Sequence, residues 1–271
     1  MSTTRSAPRV TPNPSASPYR ITPARVLRSE WHKLLSLRST WITVSLSVVM
    51  VLGVGLVMGG AYTSGGGDSD VDTVVLTLYG SMLAQLFLVV LGILMTAGEY
   101  ATGTIRSSLT AVPARLPVLW AKSAVLAATA FTAMFATGLV TFAGAQAFLH
   151  DTDQAASLTD PGVLRAVAGN ALALTLMGLL ALGLGALLRS VPGAIGAFIA
   201  GVVILPEILG MLPYDVVERA IQYFPTQAAG ALGSATPVPG TAAPGPALLA
   251  LSLWTGTTLA AAAVTLKHRD V

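Results

Sequence analysis

The residues best suited to chemistry lie in a polar interruption between two long apolar segments, residues 99–117. Glu99 and Arg106 are seven positions apart, so a continuous helix would place them on one face, whereas Gly103 can instead introduce a bend. Arg106 and Arg115 can pair with an acidic groove or with a lipid phosphate. The polar interruption is therefore the main place where a molecule outside the membrane can bind the chain and act on its apolar segments. The alternative is a loop that only carries the positive charge typical of the cytoplasmic side of a membrane.

Motifs for catalysis are absent from the sequence. There is no cysteine, which excludes disulfides, thiolate metal sites and cysteine nucleophiles. No His-Glu-x-x-His or Gly-x-Ser-x-Gly pattern occurs, and no glycine run leads into the Lys-Ser/Thr pair of a phosphate-binding loop. We therefore predict a chain that is not an enzyme, holds no cofactor or metal and does not hydrolyse ATP by itself.

Composition predicts an all-α integral membrane protein. Hydrophobic residues make up 54% of the 271 residues and charged residues only 10%, which a soluble domain could not shield from water. The net charge of +3 does not indicate binding to nucleic acid, because in such a chain the position of each charge matters more than the sum.

The chain begins with two segments outside the membrane. Residues 1–21 are rich in Ser, Thr, Pro and Arg, and we predict a disordered cytoplasmic tail. Thr22 and Pro23 suit the start of a helix, which predicts an amphipathic interfacial helix over residues 22–40.

The interfacial helix should separate apolar from charged side chains. Leu27, Trp31, Leu34 and Leu35 fall on one side at helical spacing, which predicts a helix lying in the membrane interface. The charged residues that we expect largely on the rest of its surface, or at its end, are Arg25, Arg28, Glu30, Lys33 and Arg38. The alternative is an ordinary anchor on anionic lipid that contacts no partner.

Six apolar runs have the length of membrane spans, and residues 41–271 are predicted to form a six-helix transmembrane domain. The predicted spans are 41–61, 74–98, 118–142, 166–188, 193–212 and 246–266. If the N-terminus is cytoplasmic, thirteen of the fifteen Lys and Arg residues lie on that side, leaving Arg165 and Arg219 outside. We therefore expect a multi-pass protein of the cell membrane with both termini cytoplasmic.

Small and polar residues within the spans suggest packing sites and a pathway. The glycines expected to permit close helix packing are Gly55, Gly59, Gly178, Gly183, Gly185, Gly196 and Gly201. Glu207 and Gln85 are candidates for a pathway or gate, although a carboxylate near the headgroups and ordinary interhelical hydrogen bonding explain them as well. Residues 213–225 predict a short helix that Pro225 ends, followed by a loop up to Pro246.

Three stretches carry a resemblance to a known family. They are Leu-Arg-Ser-Glu-Trp-His-Lys-Leu-Leu-Ser-Leu-Arg-Ser-Thr-Trp over residues 27–41, Glu-Tyr-Ala-Thr-Gly-Thr-Ile-Arg over residues 99–106, and Tyr-Phe-Pro-Thr-Gln-Ala-Ala over residues 223–229. Together they resemble the permease subunits of type-2 ATP-binding-cassette exporters, especially actinobacterial ones.

The resemblance implies a six-span half-transporter that pairs with a separate ATPase subunit and forms a homodimer or heterodimer of permeases. It implies that ATP is bound by that partner, and that the interfacial helix and residues 99–117 contact it. The coupling residues would be Glu99, Tyr100, Gly103, Thr104, Arg106 and Arg115, with Arg28, Glu30, Trp31, Lys33 and Arg38 on the interfacial helix. The expected function is export of an amphipathic or hydrophobic drug, antibiotic, peptide or lipid. The alternative is a membrane anchor or sensor component that recruits a cytoplasmic partner without transporting anything.

Overall fold

The computed structural model describes residues 22–65, 71–103 and 116–268. The helices within them are α1 (Pro23–Ser36), α2 (Arg38–Gly65), α3 (Thr73–Thr77), α4 (Ser81–Thr102), α5 (Leu116–Leu149), α6 (Val163–Leu188), α7 (Val191–Phe198), a π-helical segment (Ile199–Ile204), α8 (Leu205–Gly210), α9 (Asp215–Ile221), α10 (Pro225–Leu232) and α11 (Pro244–His268). The part of the chain so described contains no β-strand.

Six of these helical stretches are long and apolar enough to cross a membrane. They are Arg38–Tyr62, Ser81–Thr102, Leu116–Leu149, Val163–Leu188, Val191–Gly210 and Pro244–His268. The prediction of an all-helical chain with six potential spans is confirmed. The fifth span is composite, because α7, the π-helical segment and α8 follow one another without a break.

The second span begins later than predicted. Residues 74–77 belong to the separate short helix α3, for which the Asp72 carboxylate accepts hydrogen bonds from the amides of Val74 and Val75. The chain then turns at Gly80, where an added Cβ would overlap the carbonyl oxygen of Met50 in α2. Helix α4 begins after this turn at Ser81, and apolar run length alone does not reveal the break.

Two further elements differ from prediction. Helix α5 has 34 residues and is about 50 Å long at 1.5 Å per residue, so it exceeds the roughly 30 Å of a bilayer core. Pro225 was expected only to end a helix, yet it lies in the first turn of α10, where proline is tolerated. The predicted loop up to Pro246 is wrong over residues 225–232, because Ala228 and Leu232 are buried on this helix.

Helices α4 and α6 form the closely packed centre of the bundle. A Cβ at Gly92 of α4 would overlap the carbonyl oxygen of Gly178 in α6, and one at Gly185 would overlap the hydroxyl of Thr96. The Thr96 hydroxyl donates to the carbonyl of Leu182 at 3.0 Å. Their backbones therefore touch, as small residues allow between membrane helices.

The other predicted glycine contacts divide into two groups. An added Cβ would overlap Thr77 and Thr141 at Gly55, and it would lie tightly against neighbouring atoms at Gly59 and Gly183. At Gly196 and Gly201 no atom lies within 4 Å of the added Cβ. The expectation of close packing is therefore wrong for these two glycines within the chain, because they lie on the open side of the fifth span.

The close contact between α4 and α6 predicts that adding one methyl group at this contact destabilises the fold. Gly92→Ala should lower the free energy of unfolding by about 1–3 kcal/mol, the usual range for overpacking, because α6 must move away. Gly53→Ala is the control, since Gly53 faces open space. Thermal unfolding in lipid nanodiscs measures both, and equal stability of the two variants would contradict the packing described.

Candidate functional site

Four charged side chains from three helices meet at the end of the bundle where α1 lies. Lys122 Nζ of α5 lies 2.8 Å from Glu30 Oε2 of α1 and 2.7 Å from Glu99 Oε1 of α4. Lys33 Nζ of α1 lies 2.7 Å from the same Glu99 oxygen and 3.1 Å from Glu30 Oε1. Each lysine thus contacts both glutamates, and we call these four residues the charge cluster.

Burial makes the charge cluster unusual. Lys122 is 3% exposed, Glu30 4% and Glu99 8%, while Lys33 is half-buried at the edge. Charged groups are almost never buried to this extent unless they are paired, because each loses its hydration. Two positive and two negative groups in alternation leave no net charge. The contacts are therefore interdependent, and loss of one member leaves another buried without its counterion.

Helix α1 presents Glu30 through a stripe that the sequence pattern did not identify. Val26, Glu30 and Leu34 recur every four residues and are the buried residues of α1. Leu27, Trp31 and Leu35, predicted together with Leu34 to form one apolar face, are 37–42% exposed. The expectation that Glu30 lies on the polar side is wrong, because Lys122 and Lys33 neutralise it inside the protein.

Lys122 is the member of the cluster that sequence reasoning missed as a site residue. It was counted only among the positive charges, yet it lies within the predicted third span at 118–142. Val118, Ala121 and Val125 are buried around it on α5. A lysine at the fifth position of a predicted span normally has a specific partner, and this position was the sequence signal that could have identified Lys122.

Lys33 stays protonated in this setting. Burial by itself lowers the pKa of Lys33, but the hydrogen bond to Glu99 and the charges of Glu30 and Glu99 outweigh it, and the net pKa lies above its ordinary value. Lys33 therefore remains a cation throughout the physiological pH range and can bridge α1 to α4.

The predicted coupling stretch is described only in its first part. Helix α4 ends at Thr102 and Gly103 adopts a left-handed conformation with φ 74°, so Glu99 and Arg106 do not lie on one continuous helix. The ring of Tyr100 lies beneath the guanidinium of Arg189, with 5.0 Å between Arg189 Cζ and the ring centroid. Thr104, Arg106 and Arg115 lie outside the described residues.

The remaining predicted site residues are not joined to the charge cluster. Arg28, Trp31 and Arg38 are exposed. Gln85 is half-buried on α4 and Glu207 is exposed on α8. Within residues 22–65, 71–103 and 116–268, no hydrogen bond or ion pair links Gln85 to Glu207 or either of them to the cluster.

A second polar centre lies at the opposite end of the bundle and is built on Asp72. Its Oδ1 caps α3, and its Oδ2 accepts hydrogen bonds at 2.7 Å from both the amide and the hydroxyl of Thr236. Arg165 of α6 donates to the carbonyl of Ser234 at 2.8 Å. Asp72 and Arg165 therefore fasten the segment between α10 and α11 to α3 and α6.

Hydrogen bonding controls the ionisation of Asp72. Burial alone would raise its pKa, but the hydrogen bonds from Thr236, Val75 and Ala235 outweigh burial, and the pKa of Asp72 lies below its ordinary value.

No protein-family model matches this chain, and no curated protein matches it.

Lys122→Met should be strongly destabilising. It leaves two buried carboxylates with only the half-exposed Lys33 as counterion, and breaking a buried pair in this way costs about 3–5 kcal/mol. The double variant Glu30→Gln with Lys122→Met should recover much of that loss, because it restores charge balance. Lys267→Met, at an exposed position, is the control. Thermal unfolding measures these variants together with Glu30→Gln alone, and additive effects of the two cluster substitutions would contradict the coupling described.

The lowered pKa of Asp72 predicts that the stability of the folded chain decreases in acid. Because its folded-state pKa is below the unfolded value of about 3.9, the ionised form contributes stability that is complete above that value. The contribution is lost as the pH falls through the folded-state pKa. The difference in melting temperature between wild type and Asp72→Asn should thus be constant near neutral pH and shrink below about pH 4. Asp215→Asn, at an exposed position, is the control, and a difference independent of pH would count against this role.

Proposed function

We propose that this chain is the transmembrane permease subunit of a type-2 ATP-binding-cassette exporter. It moves an amphipathic or hydrophobic cargo, such as a drug, antibiotic, peptide or lipid, by means of ATP hydrolysed on a separate subunit. The observation that carries the proposal is the charge cluster, which joins α1 to both helices that flank residues 103–115.

The chemistry of the cluster supports a mechanical role for α1. An amphipathic helix that only anchors a protein to a membrane needs an apolar face and exposed charges. In α1 a glutamate is instead buried and paired with a lysine 92 positions away. Separating these pairs would leave an uncompensated buried charge, so a push on α1 moves α4 and α5 with it.

The chain order places the partner contact beside the cluster. Glu99 lies four residues before Gly103, after which residues 104–115 are outside the described part of the chain. Lys122 lies in the second turn of α5, which begins directly after that stretch. Arg106 and Arg115 lie between Glu99 and Lys122 in the sequence and supply cations for an acidic groove on the ATPase subunit. When that subunit closes on ATP, its movement would reach α4 and α5 at the same place where it reaches α1.

The distribution of positive charge supports a cytoplasmic position for this end of the bundle. With the cluster end inside, thirteen of the fifteen Lys and Arg residues are cytoplasmic, as are both termini. The chain is then a multi-pass protein of the cell membrane, surrounded by lipid. It works as a homodimer or heterodimer of permeases and has no contact with nucleic acid. ATP is bound by the partner alone.

Purification in mild detergent from the native host tests the proposal. A stoichiometric ATPase with a phosphate-binding loop should accompany the tagged chain, and inverted vesicles should show ATP-dependent uptake of a lipophilic fluorescent dye. A non-transporting anchor or sensor would insert normally but show no ATPase of that class under equally gentle conditions, which would contradict the proposal.

Substitutions in the coupling stretch test its mechanism. Arg106→Glu and Gly103→Pro should each leave membrane insertion intact while dye uptake per ATP hydrolysed falls at least tenfold. The matched control is Arg9→Glu, which makes the same charge reversal in the predicted N-terminal tail. Wild-type transport in both coupling variants would remove residues 99–117 from the mechanism.

A further inference from the structure

Arg189 occupies an unfavourable backbone conformation. It ends α6 with φ 53° and is, among the residues that the structure describes, the one non-glycine residue with positive φ. Left-handed conformations cost an ordinary residue free energy, and glycine is the usual residue at this position after a helix. A glycine here would remove the strain.

The side chain of Arg189 adds a second unfavourable feature. Its Nε and Nη2 atoms are buried and have no hydrogen-bond partner among the residues that the structure describes. The guanidinium instead lies over the face of the Tyr100 ring, with 5.0 Å between Arg189 Cζ and the ring centroid. Both features reduce stability, and residues retained in such conformations are concentrated where a protein switches or positions a group.

Arg189 stands between a fixed and a loosely held part of the bundle. The backbones of α4 and α6 approach closely from Gly92 to Thr96 and from Gly178 to Gly185, so the two helices move together. Arg189 and Ser190 are the whole connection from α6 to α7. Ser190 caps α7 through the amide of Gly193, and Pro192 stiffens its first turn. Rotation between α6 and α7 is therefore concentrated at Arg189.

The fifth span is the least embedded of the six. In its most apolar stretch 22% of residues are buried, against 67% in the fourth span. Its buried residues form one stripe, and three partly buried residues pack on the bundle beside that stripe; the buried ones are Ala194, Phe198, Val202 and Pro206, the partly buried ones Val191, Ile195 and Val203. It also contains the π-helical segment Ile199–Ile204, a rare conformation that is frequent at functional sites. A span with so small a share of buried residues can pivot about its end.

We propose that Arg189 is the hinge of the fifth span and that its stacking on Tyr100 sets the angle of that span relative to α4. Tyr100 follows Glu99 directly, so a displacement of the charge cluster reaches the hinge through one residue of α4. The use of this movement in export rests on the proposed function. The hinge itself does not, because it is a property of this chain alone.

Distance measurements on the reconstituted chain test the hinge. The chain has no cysteine, so spin labels can be placed at Leu164 of α6 and Met211 beyond α8, which are 50% and 80% exposed. Tyr100→Leu and Arg189→Gly should each broaden the distance distribution or add a second distance. The control is Tyr100→Phe, which keeps the ring and should retain the wild-type distribution.

Thermal stability separates a hinge from an ordinary packing residue. Arg189→Gly should unfold at the same temperature as wild type or higher, because it removes a strained conformation and two unpaired donors. Unchanged distances in both Tyr100→Leu and Arg189→Gly would overturn the proposal. A fall in melting temperature for Arg189→Gly would overturn it as well, since Arg189 would then only stabilise the fold.

The same labels separate this inference from the proposed function. In a complex with its ATPase subunit, trapping with ATP and vanadate should shift the wild-type distance and leave Arg189→Gly unshifted. No shift in the wild-type complex would count against the exporter, while the distances of Tyr100→Leu and Tyr100→Phe without nucleotide would still decide whether Arg189 is a hinge.

Discussion

Charge balance inside the charge cluster is the constraint on which the rest of this structure depends. Glu30, Glu99 and Lys122 are almost fully buried, and Lys33 closes the arrangement at its edge. Each group is tolerable there only while its neighbours remain. The position of α1 on the bundle, the depth at which α4 ends and the start of α5 are therefore fixed together. Hydrophobic contacts alone would allow α1 to slide, because apolar packing is less directional than an ion pair.

The bundle combines this ionic joint with backbone contact in its centre. Helices α4 and α6 meet backbone to backbone at Gly92 and Gly178, and Gly185 leaves room for the Thr96 side chain. The charge cluster adds α1 and α5 to one end of α4, and Asp72 fastens the loop before α11 at the other. The first, fifth and sixth spans have a much smaller share of buried residues than the fourth. A firm centre with loosely embedded outer helices is an arrangement in which one end can be moved and an outer span can respond.

Composition and run length were sufficient to predict the helical class and six potential spans, and the capping residues Thr22 and Pro23 predicted where α1 begins. These features depend on local sequence and on the thickness of a bilayer. The role of Lys122 could not be obtained this way. Its partners are 92 and 23 positions away, and a periodic pattern does not show which distant charges meet. For the same reason Glu30 was placed on the polar side of α1. Local rules predict how a helix divides its residues, whereas burial of a charge is decided by a neighbouring helix.

The break before the second span and the helix after Pro225 have a similar explanation. Gly80 permits close approach of α2 at the turn between α3 and α4, and this contact is invisible in a hydropathy profile. Proline ends one helix and begins another with the same fixed φ, so Pro225 alone did not distinguish a stop from a start. In both places tertiary contact, rather than local preference, selected the outcome.

The position of α1 in the membrane-embedded chain is the most direct test of this account. Spin labels at Ser29 of α1 and Val140 of α5 would be about 30 Å apart along the bundle, from the rise of an α-helix, and both positions are exposed. In lipid bilayers the account predicts one narrow distance for the wild type and a broad distribution for Lys122→Met, in which α1 has lost its buried counterion. A wild-type distribution as broad as that of the variant would show that the charge cluster does not hold α1 and would contradict the central claim.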